Sequence, residues 1–132
     1  MDVPALIDFP VFNSGHAGRL SFAEAGDLIP FPIKRVYWIY ETESDTLRGD
    51  HAHRTGTQVL IAFGGSIAIE LINRQGEKSH FRLDRPDRGL LIPCDYWRKV
   101  VMSKNSVLLS FASESYDPRN YITDYDVFIN AL

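Results

Sequence analysis

Turn-forming residues interrupt this chain so often that no long element fits between them. Asn13-Ser14-Gly15, Ala25-Gly26-Asp27, Arg48-Gly49-Asp50, Gly64-Gly65, Asn73 to Gly76, Pro86 to Gly89 and Ser103 to Ser106 punctuate 132 residues. Between them lie short runs rich in Val, Ile, Phe and Tyr: Ile33 to Tyr40, Gln58 to Phe63, Ser66 to Ile72, Ser79 to Leu83, Gly89 to Ile92 and Ser106 to Ala112. Strands at this spacing predict an all-β sandwich or barrel. No stretch before residue 113 carries a helical period. In the tail, Tyr121, Tyr125, Phe128, Ile129 and Leu132 recur at three- and four-residue steps after Asp117-Pro118, which predicts one short C-terminal helix laid against the strands. The whole chain, 1–132, is expected to be a single domain, because two cores would leave each half too small to hold itself together.

Charge and composition narrow the function. The formal net charge of −3 lacks the basic surplus of a general nucleic-acid binder. The longest apolar runs fall well short of the roughly 18 residues of a membrane helix. Met1-Asp2-Val3-Pro4 lacks the basic start of a secretory signal, and the single Cys94 precludes an internal disulfide. A cytoplasmic protein without nucleic-acid or membrane partners is the expectation.

The densest chemical feature is Arg48-Gly49-Asp50-His51-Ala52-His53. Residues two apart on a strand share a face, so His51 and His53 project together. Such a pair serves as metal ligands, as an acid–base couple, or as two surface histidines at a strand end. Four residues separate His53 from Gln58, six further residues precede Gly65, and Pro93-Cys94-Asp95-Tyr96-Trp97-Arg98 follows.

This spacing resembles the two signatures of the cupin superfamily, which implies a double-stranded β-helix, or jelly-roll, barrel. Two ligand identities differ: Gln58 stands where metal-binding cupins carry Glu, and Arg98 where they carry the second-motif His. Arginine is a permanent cation with no lone pair to offer a metal. The expectation is a cupin without metal or other cofactor. The resemblance tightens along nearly the whole chain, from about Leu20 to Phe128. Ile33-Lys34-Arg35-Val36-Tyr37-Trp38-Ile39-Tyr40, the Arg48 to His53 stretch, Gln58, Gly65-Ser66, Pro93 to Trp97, Ala112-Ser113, Tyr116-Asp117 and Tyr125-Asp126 follow one another in the order seen in the WxcM-like cupins, small nucleotide-sugar 3,4-ketoisomerases.

That resemblance implies an isomerase that moves the ketone of dTDP-4-keto-6-deoxyglucose from carbon 4 to carbon 3 through an enediol, in deoxysugar biosynthesis for lipopolysaccharide or other surface glycans. It also implies a catalytic set of His51, His53 and Tyr37, with His51 as the carbon base. A histidine suits this role because its ordinary pKa lies near neutrality. Arg48, Arg35, Arg98 and Gln58 form the expected substrate-binding set, since arginines bind diphosphate oxygens bidentately. Read singly, Arg35 and Arg54 are solvated charges, and Tyr37 and Trp38 are core or interface residues. His16 and His80 receive no role. Two departures bear on substrate identity: Ala17 replaces an arginine common in relatives, and Arg98 replaces a histidine. A sugar 3,5-epimerase and a non-catalytic sugar-nucleotide binder stay open as alternatives. A homodimer is expected, with the apolar stretch Ala5 to Phe12 free to cross to a partner.

Overall fold

The computed structural model describes residues 3–130. The first strands are β1 (Ala5–Asp8), β2 (Val11–Asn13), β3 (Arg19–Ser21), β4 (Arg35–Ile39), β5 (Thr46–His53) and β6 (Thr57–Phe63). They are followed by β7 (Ile67–Ile72), β8 (Lys78–Leu83), β9 (Arg88–Pro93), β10 (Trp97–Met102), β11 (Val107–Ala112) and β12 (Tyr121–Ile122), then by the helix α1 (Tyr125–Asn130). One five-stranded sheet has the order β1-β9-β6-β11-β4, a second has β12-β5-β10-β7-β8, and β2-β3 form a separate hairpin. Neighbouring strands in all three are antiparallel.

Three apolar layers hold the sandwich together. Between the sheets, Leu60, Ile67, Ile69, Leu71, Leu90, Ile92, Val100, Met102 and Leu108 interdigitate. They come from alternate positions, as the two-residue period of a strand requires. Outside the first sheet, Val59, Ile61 and Leu91 are covered by Phe9, Ile29 and Phe31. Outside the second, Ala52, Ile72 and Trp97 are covered by Ile122 and Phe128. Strands β6 and β9 are therefore buried on both faces, which explains the unbroken runs Val59 to Ala62 and Leu90 to Ile92.

One expectation needs correction. Tyr121 does not belong to the C-terminal helix: it lies in β12, paired with His53 of β5. The helix starts later because the Asp124 carboxylate accepts from the backbone N–H groups of Asp126 (2.9 Å) and Val127 (3.3 Å), a cap that fixes its first turn. The rest of the predicted stripe, Tyr125, Phe128 and Ile129, is helical; Leu132 lies outside the described residues. The apolar stretch Ala5 to Phe12 contains β1 and the start of β2, and β1 pairs with β9, Ala5 to Leu91 through Asp8 to Arg88.

The sandwich is apolar at one end and polar at the other. On the inner face of β6 the row Ala62, Leu60 ends in Gln58, and on β10 the row Met102, Val100 ends in Arg98; all six are buried. Arg35, Tyr37 and Ile39 point inward from β4, while Val36 and Trp38 are exposed. The polar end is where the motif residues gather.

Candidate active site

A β-bulge aims the motif. In the β5–β10 ladder, Arg98 opposes His51 and Lys99 opposes Gly49, so Asp50 is an extra residue. Gly49 and Asp50 both have positive φ, 81° and 59°. A Cβ on Gly49 would lie 3.1 Å from the Arg98 carbonyl oxygen, closer than ordinary packing allows. Simple alternation would send Arg48 and His51, three apart, to opposite faces. The bulge resets the phase, and both line one cleft. The Asp50 carboxylate turns away and accepts from the Trp97 indole N–H at 3.0 Å, fastening the bulge to the layer under α1.

The cleft has a volume of about 350 Å³. Tyr37, His51, Arg35, Arg48 and Arg98 all contribute to its wall, so five of the sequence-predicted residues come together there. The other two, His53 and Gln58, lie immediately behind it, buried, around a much smaller void that they share with Arg35 and Arg98. No carboxylate lines the cleft among the described residues, whereas three arginines do. That balance favours an anionic ligand.

Two tyrosines complete the wall that sequence reasoning did not assign. The Tyr121 ring sits 4.9 Å from the His51 ring and 4.6 Å from the His53 ring, centroid to centroid. Its hydroxyl accepts from Arg35 Nη2 at 3.5 Å. Tyr116 packs 6.0 Å from Tyr121, and the Arg35 guanidinium lies 5.0 Å from the centre of the Tyr37 ring and 5.5 Å from that of Tyr116. Aromatic faces thus hold Arg35 in place. The signal for Tyr121 was present at Asp124, whose capping position excludes a residue three places earlier from the helix.

His51 and His53 meet edge to face with ring centres 4.9 Å apart. Burial, and then the nearby Arg98 cation, push the His51 pKa down to about 4, with a hydrogen bond to the Gly49 backbone pulling the other way. Such a bond uses one ring N–H and leaves the other nitrogen with a free lone pair. The same two causes, with His51 added, push His53 down to about 2. Both imidazoles are neutral at pH 7.

Arg98 closes the back of the site. It is 3% exposed, donates from Nη1 to Gln58 Oε1 at 2.6 Å, and reaches His53 Nδ1 from Nη2 at 3.1 Å. Its guanidinium fills the space where the His53 and Gln58 donor atoms converge, and a cation there repels a metal ion. Elsewhere, Arg54 lies on the surface and donates to the Arg119 carbonyl at 3.3 Å, and His80 pairs with Glu70 at 2.8 Å. Ala17 does not line the cleft; it borders a larger groove of about 1030 Å³ beside the β2–β3 hairpin, together with Leu20 and Phe22.

A two-sheet antiparallel sandwich with a histidine pair at its polar end is a cupin, here with an arginine where a metal ligand would stand. The chain belongs to the WxcM-like family: the family model described as FdtA, WxcM-like, C-terminal, matches residues 2–132. It is 36% identical over 112 residues to the TDP-4-oxo-6-deoxy-alpha-D-glucose-3,4-oxoisomerase of Aneurinibacillus thermoaerophilus, covering 84% of this chain and 80% of that one. Among solved structures, a 3,4-ketoisomerase from Helicobacter canadensis superposes with a TM-score of 0.89 at 39% identity, covering 96% of this chain and 94% of that one. A mutant of the 3,4-ketoisomerase QdtA from Thermoanaerobacterium thermosaccharolyticum, in complex with TDP-4-keto-6-deoxyglucose, superposes at 0.90 with 38% identity, covering 96% and 91% of the two chains.

Proposed function

We propose that this protein is a nucleotide-sugar 3,4-ketoisomerase acting on dTDP-4-keto-6-deoxyglucose, independent of metal and other cofactors. The observation that carries this reading is a neutral, half-buried His51 on the wall of a cleft whose charged side chains are all arginines. It agrees with the 3,4-ketoisomerase activity of relatives that align over nearly the whole chain.

The chemistry needs one base that reaches two neighbouring carbons. The free nitrogen of His51 takes the proton from carbon 3. The C–H electron pair becomes the C3=C4 double bond, and the carbonyl electrons move onto oxygen 4. Oxygen 4 then takes up the proton that oxygen 3 gives up, so no outside donor or acceptor is consumed. The imidazolium returns its proton to carbon 4, leaving the ketone at carbon 3. The proton gained by His51 is offset by negative charge developing on the enediol oxygens beside it. Arg35 and Arg48 supply cations for the diphosphate. Tyr37 and His53 serve the oxygen side, and Arg98 and Gln58 hold them.

The chain acts in this reading as a cytoplasmic homodimer within deoxysugar synthesis for surface glycans. Exposed Phe12, Leu20, Phe22 and Trp38 supply apolar surface for pairing. Incubation with a panel of 4-keto sugar nucleotides, followed by proton NMR, tests the function. A 3-keto product from the dTDP-linked sugar is expected. Epimerised carbons 3 and 5 would instead indicate a 3,5-epimerase, and saturable binding without any product would indicate a binding module.

A further inference from the structure

The hydrogen-bond directions behind the cleft are fixed by what each group is able to do. Arginine only donates, and a side-chain amide oxygen only accepts. Gln58 Oε1 receives Arg98 Nη1 at 2.6 Å and the Tyr37 hydroxyl at 3.0 Å. Both of its lone pairs are occupied, and the Tyr37 proton is directed at Gln58 rather than at the cleft. Arg98 Nη2 donates to His53 Nδ1 at 3.1 Å, so that nitrogen carries no proton. A neutral His53 therefore bears its hydrogen on Nε2, and this atom is buried with no hydrogen-bond partner in the protein. An unmatched buried donor is costly to a fold, which makes it a site held ready for a ligand.

We propose that Gln58 is a positioning residue that sets the polarity of the site: through Tyr37 and Arg98 it presents one hydroxyl as an acceptor and His53 as a fixed donor. This rests on the ketoisomerase reading and deepens it. His53 is a fixed Nε2–H donor on a ring packed against His51 and Tyr121, both on the cleft wall, and does not carry protons. It has no free lone pair in this arrangement, since Arg98 occupies Nδ1. Carbon-side proton transfer is left to His51 alone, whose second nitrogen is unblocked. No bond to hydrogen is made or broken at His53. Gln58 has no part of the cleft wall; it acts through its two neighbours.

Two measurements test this on the full-length protein. The first is nitrogen-15 NMR of the histidine rings without substrate, so its result does not depend on which reaction the enzyme performs. A single Nε2–H tautomer of His53 is expected from pH 8 to pH 5, unchanged in Gln58→Glu, which keeps both acceptor contacts, and mixed with the other tautomer in Gln58→Leu. An Nδ1–H tautomer in the unsubstituted protein, or titration of His53 near its ordinary pKa of about 6.5, overturns the proposal even if Gln58→Leu does not fold. The second is turnover by His53→Gln, whose amide N–H stands in for Nε2–H but cannot shuttle a proton at neutral pH. A donor-only role predicts kcat within about 10-fold of the unsubstituted enzyme, the scale of one neutral hydrogen bond. A loss of roughly 10²–10⁴-fold, the worth of a general acid or base, contradicts it. Absence of any turnover by the unsubstituted protein would refute the ketoisomerase reading, and the NMR result would still decide the tautomer.

Discussion

The His51 ring is neutral for a physical reason that has a kinetic consequence. Burial and the Arg98 cation lower its pKa to about 4. A histidine base at its ordinary value loses activity below about pH 6.5. Here kcat/KM should stay level down to about pH 5 and fall only below it, provided activity recovers when aliquots are returned to pH 7. A midpoint near 6.5 on the acid limb would show that His51 is not the base or is not so enclosed. Tyr121 makes a second prediction at this scale. Its ring touches both histidines, so Tyr121→Ala opens that wall to water, and the acid limb should move up toward the ordinary histidine value. His51 and Tyr37 were legible because a motif marks them. Tyr121 was not, because its periodicity with Tyr125 and Phe128 imitates a helix. Its partners on β5 are far away in sequence.

At the scale of elements, the bulge in β5 determines whether the motif becomes a site. Gly49→Ala places a Cβ against the Arg98 backbone and imposes a side chain on a residue with φ of 81°. It should cost about 1–3 kcal/mol of stability, read from the urea midpoint, and lower kcat beyond that by turning His51 out of line. A variant with full activity and unchanged midpoint would remove the bulge from the account. The sequence displays this feature only as a Gly-Asp pair resembling an ordinary turn. Alternation applied strictly separates Arg48 from His51, and only the pairing with β10 shows why both reach the cleft. Strand β10 itself did not stand out among the predicted strands. Arg98 was marked only by the family pattern, and the structure buries it among Gln58, His53 and the cleft.

Across the whole molecule, the buried histidines make stability depend on pH. The folded-state pKa values of His51 and His53, about 4 and about 2, lie below the ordinary 6.5. The unfolded chain therefore binds more protons than the folded one in the window beneath pH 6.5. Stability is fully present above that pH and declines as pH falls, by up to about 1.4 kcal/mol per pH unit for each histidine. Urea midpoints measured from pH 7 to pH 5 should fall more steeply for the unsubstituted protein than for His53→Gln; equal slopes would contradict the buried neutral pair. The two-sheet architecture was legible because turns and alternating apolar residues are local signals. The closing of one end by Gln58, Arg98 and His53 was not, because Arg98 comes from β10, 45 residues beyond His53 and 40 beyond Gln58, and only the family pattern marked those positions.

The central claim is that one imidazole carries the carbon-bound proton. It is tested by incubating the dTDP-linked 4-keto sugar in deuterated water with the unsubstituted protein and with His51→Asn, and following deuterium at carbons 3 and 4 by NMR. The account predicts exchange and 3-keto product with the first. With the second it predicts a fall of roughly 10²–10⁴-fold in both together, while the fold, read by circular dichroism, is kept. Near-normal exchange at carbon 3 by His51→Asn would contradict it.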